Sequence, residues 1–149
     1  MTGPDAQRIA ERVRDHLWHG DRASRGLGME IVAIGPGTCT MRMAVREDML
    51  NGHGSAQGGL VTALADSCFA FACNAYNEIT VAAGFDVQLV APGRLGDVLT
   101  ATATELSRAG RLGVYDVDVR NQRGERVCAF RGRSYTMKGK PVLALDNRD

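Results

Sequence analysis

Asn51-Gly52-His53-Gly54-Ser55-Ala56-Gln57-Gly58-Gly59, followed without a break by Leu60-Val61-Thr62-Ala63-Leu64-Ala65-Asp66, is the stretch that decides how this chain folds. Its first half is a loop of glycine and polar residues. Its second half opens a helix expected over residues 57–77, whose Leu, Ala, Phe and Cys residues cover most of the circumference and call for burial on most sides. A Gly-Gly pair at a helix start leaves backbone N–H groups with no intrahelical acceptor, and the helix dipole adds positive potential there. Such amides suit an anion or a developing oxyanion, although glycines also start helices for steric reasons. Asp66 stands two turns further on, among small and apolar residues. Aspartate is a poor mid-helix residue and is seldom buried alone. Burial would lift its pKa towards the range useful to a general base; an exposed place on one helix face is the alternative.

Gly58 and Asp66 are eight residues apart, about 12 Å along a helix axis. One carbonyl carbon lies within hydrogen-bond reach of both only if the two groups come from two chains, with their helices antiparallel across a two-fold axis. A catalytic reading therefore carries a dimer with two equivalent interfacial sites.

Working outward, residues 4–19 read as an amphipathic helix, with Ile9, Val13 and Leu17 at a spacing of four. Residues 21–28 form a polar connection. Strands are expected at 29–34 and 38–45, joined by Gly35-Pro36-Gly37, then at 80–91, 98–106, 112–121 and 126–137. The tail after Lys138 is polar and expected to fray. Residues 1–149 thus read as one α+β domain, in which a curved antiparallel sheet is what remains to cover the one long helix.

Eighteen glycines, about 12% of the chain against a usual share of about 7%, show no Gly-X-Y period. Four cluster at 52–59, six fall in turns (Gly35, Gly37, Gly93, Gly96, Gly110, Gly124), and Gly84, Gly113 and Gly132 fall in strand-like runs where a sheet must bend. A net charge of +1 argues against a nucleic-acid binder. Cys39, Cys68, Cys73 and Cys128 form no Cys-x-x-Cys pair, and with three scattered histidines offer no zinc spacing. They read as buried free thiols in a reducing compartment. The longest apolar run, 60–75, is interrupted by Asp66 and too short for a bilayer, and no signal-peptide pattern opens the chain. The expectation is a cytoplasmic protein with no membrane and no metal partner.

Other polar residues leave alternatives open. His53 either fixes its loop or shuttles a proton. His16 and His19 sit three apart on the first helix, as a solvated helix end or a metal pair. Arg94, Arg108, Arg111, Arg131 and Arg133 lie at turns or strand ends, solvated or meeting phosphate. Phe69 and Phe71 read as core or interface. No Gly-x-Ser-x-Gly elbow, Walker loop or dinucleotide fingerprint is present.

Asn51-Gly52-His53, Gly58-Gly59 and Leu64-Ala65-Asp66, with Pro92-Gly93, Gly113-Val114-Tyr115-Asp116 and Phe130-Arg131-Gly132 beyond them, resemble the hotdog-fold acyl-CoA thioesterases, and within these the phenylacetic acid degradation (PaaI) subfamily. The resemblance runs over about residues 25–137. It implies a curved antiparallel sheet around one central helix, with an extra N-terminal helix, and hydrolysis of coenzyme A thioesters, phenylacetyl-CoA or hydroxylated aryl-acetyl-CoA, to free acid and CoA. Asp66 would be general base or nucleophile, the Gly58 amide would polarise the thioester carbonyl, and Asn51 would position the water or acid group. Gln57 replaces a histidine common in the family; its amide can hydrogen-bond but cannot titrate near pH 7. Implied substrate contacts are Gly59, His53, Thr62, Ala83, Gly84, Arg111 and Arg131. Ala83 and Gly84 replace polar residues of the third strand, and Ala91 an arginine. The resemblance implies no cofactor apart from the CoA of the substrate, and a homodimer assembling as a dimer of dimers. A non-catalytic acyl-CoA binding or sensing protein is the alternative, because fold alone does not fix activity.

Overall fold

In β2 (Thr38–Ala44), Cys39, Met41 and Met43 alternate with Thr38, Thr40 and Arg42, so the first three are buried and the second three face outward. The same period runs through β4 (Val98–Ala109), β5 (Leu112–Arg120) and β6 (Arg126–Thr136). These strands point Leu99, Ala101, Tyr115, Val117, Val119 and Phe130 inward. With β1 (Glu30–Gly35) and β3 (Thr80–Leu89) they make one antiparallel sheet in the order β1-β2-β4-β5-β6-β3. This computed structural model describes residues 3–146.

The sheet curls round α3 (Gly58–Asn74), which packs against all six strands and buries Val61, Leu64, Ala65, Cys68, Phe69 and Ala72. Phe69 is the centre of the core, its ring centroid 5.5 Å from Tyr115 and 5.8 Å from Phe130. Gly132 lies directly under that ring: a Cβ there would stand 2.9 Å from three of its atoms. Gly113 is crowded in the same way by Tyr115 and Ser134. Gly113 and Gly132, expected at bends, are therefore packing positions, whereas Gly84 does adjoin a bend. Register shifts that bend strands locally fall in β1 (Ile31/Ala33), β3 (Ala82/Gly84), β4 (Glu105/Ser107) and β6, where Val127 is the extra residue opposite Val119 and Arg120.

Two elements stop sooner than their sequence pattern suggests. α3 ends at Asn74, whose side-chain amide donates to the Ala70 and Thr80 carbonyls while its oxygen accepts from the Thr80 N–H, tying the helix end to the start of β3. β3 ends at Leu89, because the Val90 and Ala91 amides both turn to the Val127 carbonyl and Pro92 has no N–H.

α1 (Pro4–Gly20) buries Ala6, Ala10 and Val13, with Leu17 and Trp18 packed on the core. The inward stripe thus runs through two alanines, which let the helix approach closely, and Ile9 lies at its flank. The 21–28 connection contains α2 (Arg22–Gly26), capped by Asp21, which accepts from the Ser24 N–H and hydroxyl. The polar tail is held rather than frayed as far as Leu143, whose N–H and carbonyl pair with the Asn77 side chain. All four cysteines are free and buried. Among the described residues no helix is long and apolar enough to cross a membrane, and no cluster of His, Cys, Asp and Glu could hold a metal ion.

Candidate active site

The loop after the short 3-10 turn Glu47–Met49 is folded around Asn51. The Asn51 side-chain oxygen accepts from the His53 N–H at 2.9 Å and the Ser55 N–H at 3.2 Å, and its amide donates to the Ser55 hydroxyl. Gly54 completes the turn with a φ of 80°. The loop is therefore fixed by Asn51, with His53 contributing only its backbone and leaving its imidazole exposed.

This loop delivers Gln57 to the N-cap of α3. Its N–H donates to the Met49 carbonyl, its carbonyl accepts from Leu60 and Val61, and its side chain makes no capping bond. The Gly58 and Gly59 amides consequently have no acceptor among the described residues and stand open at the positive end of the helix. Gly58 is under the Leu89 side chain, in the place a Cβ would need. The Thr62 hydroxyl donates to the Gly58 carbonyl at 2.8 Å, back-bonding within the first turn. A cavity of about 290 Å³ opens beside this turn, lined by Asn51, Gly58 and Val61 on one side and by Leu89 to Gly93 on the other. Leu89 and Val90 were not singled out from the sequence. Their signal is an apolar pair ending an edge strand, which reads like any other strand end.

Asp66 lies two turns along α3, outside that cavity. It is half-buried, and no hydrogen bond or ion pair involves it among the described residues. Desolvation raises its pKa above the ordinary carboxylate value. It belongs to the one face of α3 that the sheet leaves open, a stripe running through Gly59, Thr62, Ala63, Asp66 and Ala70.

The remaining candidates are dispersed. Ala83 is the extra residue of the β3 bulge, and Gly84 beside it is filled by the Arg133 guanidinium, 2.7 Å from where a Cβ would be. Arg111 is exposed in the β4–β5 hairpin, donating to the Thr136 carbonyl. Arg131 lies on the outer face of the sheet, opposite the face that carries α3, in a two-bond pair with Asp116 at 2.7 and 3.0 Å. The structure thus brings Asn51, Gln57, Gly58, Gly59 and Thr62 together, keeps Asp66 on the same helix, and sets Arg111 and Arg131 apart.

Residues 53–128 match the Thioesterase superfamily. The chain is 37% identical over 123 residues, 83% of its own length and 88% of the relative's, to the acyl-coenzyme A thioesterase PaaI of Escherichia coli K12. It superposes on the structure of the E. coli PaaI protein from the phenylacetic acid degradation operon with a TM-score of 0.88, covering 91% of this chain and 98% of that one at 35% identity. A hypothetical thioesterase protein from Streptococcus pneumoniae TIGR4, solved with coenzyme A, aligns with a TM-score of 0.72 at 25% identity, covering 75% of this chain and 90% of that one. With the six-stranded sheet wrapped on its central helix, these likenesses place the chain in the thioesterase superfamily, on the hotdog fold.

Proposed function

We propose that the chain is an acyl-CoA thioesterase that hydrolyses phenylacetyl-CoA or ring-hydroxylated aryl-acetyl-CoA to the free acid and coenzyme A. The observation that carries this reading is one helix bearing both an uncapped Gly-Gly amide end and, two turns on, a half-buried carboxylate that no hydrogen bond or ion pair engages among the described residues. Its likeness to a protein named as an acyl-CoA thioesterase, and to one solved with coenzyme A, supports the choice of substrate class.

Because about 12 Å of helix separates the two groups, the site is completed across a two-fold axis: Asp66 of one subunit faces Gly58 of the partner subunit. The free edge of β3 supports such pairing. It is the last strand of the sheet, and Phe85 and Leu89 on it remain 44% and 53% exposed. The thioester oxygen takes the Gly58 amide, and negative charge developing on that oxygen is stabilised by the amide and the helix end. Donors of this kind contribute about 2.7–4 kcal/mol where one has been removed.

Asp66 then acts in one of two ways. As general base it takes a proton from water while the water oxygen bonds to the carbonyl carbon; the C–S bond breaks and the proton passes to the departing thiolate. As nucleophile its oxygen bonds to the carbonyl carbon, the thiolate leaves, and water cleaves the resulting anhydride. Asn51, already holding the loop with its oxygen, retains a second amide proton for the substrate. Asp66→Asn is expected to lower kcat on phenylacetyl-CoA by about 100-fold or more, as measured by release of the CoA thiol. Undiminished turnover by that variant would overturn the proposal. Single turnover in 18O-water separates the two chemistries, because only the anhydride route leaves label in Asp66.

A further inference from the structure

The turn at residues 92–97 touches the Gly58 cavity at one end and the tip of the β5–β6 hairpin at the other. Pro92 and Gly93 line the cavity. The Ala56 N–H donates to the Gly93 carbonyl at 2.8 Å, and a Cβ on Gly93 would stand 3.0 Å from that of Ala56. At the far end is Asp97, the only charged residue that is buried among the described residues. One of its oxygens accepts from the Arg94 N–H at 3.0 Å, and the other from the Gln122 side-chain amide at 2.9 Å. The Gln122 oxygen in turn accepts from the Val98 N–H at 2.9 Å. We infer that Asp97 and Gln122 are positioning residues for the ester: they set how far the Pro92-Gly93 wall stands from Gly58, and so how tightly the ester is held. The inference rests on the thioesterase reading above, which puts the ester beside Gly58.

The hairpin tip that supplies Gln122 is built as the loop at Asn51 is. The Asn121 side-chain oxygen accepts from the Arg123 and Glu125 N–H groups, as that of Asn51 accepts from His53 and Ser55. Gly124 closes the tip with a φ of 78°, against 80° at Gly54. Ser55 also forms a β-bridge with Arg94. The turn is thus held between two loops of like construction, one of which leads straight into Gly58.

Two features give the pair a task beyond closing a turn. A carboxylate is costly to bury, and the Arg94 N–H could be met by a neutral side chain. Gln122 is exposed and adds nothing to the core, yet both ends of its amide go to Asp97 and Val98. Its bond to Asp97 is the first reason that this carboxyl stays below the ordinary carboxylate range, ahead of the Arg94 N–H and the Arg123 guanidinium. α3 carries Gly58 and Asp66 and is held by the core, so moving the turn shifts the wall while the reacting groups stay. The consequence is a change in KM with kcat retained.

The test exchanges donor and acceptor within the pair and follows release of the CoA thiol from phenylacetyl-CoA. Gln122→Glu keeps an acceptor for the Val98 N–H but sets a second carboxylate against Asp97. Asp97→Asn keeps one acceptor and turns an amide towards a donor. Combined, the two changes restore the bond in reverse, the new amide donating to the new carboxylate. Each single variant is expected to raise KM about tenfold, the upper range of what one such bond contributes, with kcat within about twofold of wild type. The double variant is expected to return KM to within about threefold of wild type. Gln122→Ala, at the exposed tip, should raise KM as Gln122→Glu does and serves if Asp97→Asn does not fold. Folded single variants with wild-type KM, or a folded double variant no better than Gln122→Glu, overturn the positioning role and leave the thioesterase reading intact. A wild type inert on acyl-CoA esters removes both.

Discussion

At Asp66 the proposed function and the stability of the fold pull against each other. Among the described residues no hydrogen bond or ion pair involves it, and burial holds its pKa above the free carboxyl value. The folded state therefore keeps the proton to higher pH than the unfolded state. Between those two pKa values the native chain binds more protons, so stability falls as pH rises through them, and the full penalty is present above the folded pKa. Asn carries no charge and escapes that penalty. Asp66→Asn is accordingly expected to melt above the wild type at pH 7. The gap should narrow as the pH is lowered through the folded pKa and vanish below the ordinary carboxylate range. Thermal melts of both proteins from pH 8 to pH 3 read this directly; a Tm difference that does not change with pH would mean desolvation is not what sets the Asp66 environment. The sequence left this residue between burial and exposure, and its place is between the two, because α3 has one face that the sheet does not cover.

At the scale of elements, the contact between α3 and β6 depends on an absence. Gly132 is the only residue type that lets β6 lie flat beneath the fully buried Phe69 ring, which cannot move without disturbing Tyr115 and Phe130. Gly132→Ala should destabilise the chain by about 1–3 kcal/mol, the usual cost of overpacking a filled core. Phe69→Leu in the same chain should recover part of that loss, although Phe69→Leu alone destabilises. Denaturant unfolding of the two single variants and the double variant measures the coupling, and strictly additive effects would place the strain elsewhere. This contact marks where reading the sequence stopped. Alternation in β2, the apolar run of α3 and the turns between strands were legible because each follows a local period. The reason for Gly132 was not, since it lies 63 residues from Phe69 in the chain. The same holds for Asn74 ending α3 on Thr80 and for Ala6 and Ala10 rather than Ile9 facing the sheet: each is decided by a neighbour that no local period reveals.

At the scale of the whole molecule, the open helix start and the half-buried Asp66 were legible as features of one helix, and the proposed reaction combines them through a second copy. If each site takes its carboxylate from one subunit and its amide from the other, two inactive variants should repair one another. Asp66→Asn removes the carboxylate. Gly58→Pro removes the amide at the first helical position, where proline is well tolerated, and its Cβ would meet the end of the flexible Leu89 side chain. In a mixed dimer one site receives the intact Asp66 of the Gly58→Pro chain and the intact Gly58 of the Asp66→Asn chain, while the other site carries both defects. Random exchange of equal amounts makes half the dimers mixed, each with one working site of two, so the mixture should regain about a quarter of wild-type specific activity. Activity would then rise with time after mixing, at the rate of subunit exchange, and would be absent from either variant alone. A mixture that exchanges subunits, as followed by mass spectrometry of differently labelled chains, yet stays inactive would show that Asp66 and Gly58 do not meet across the two-fold. In that case the open stripe of α3 and the free edge of β3 would serve assembly alone.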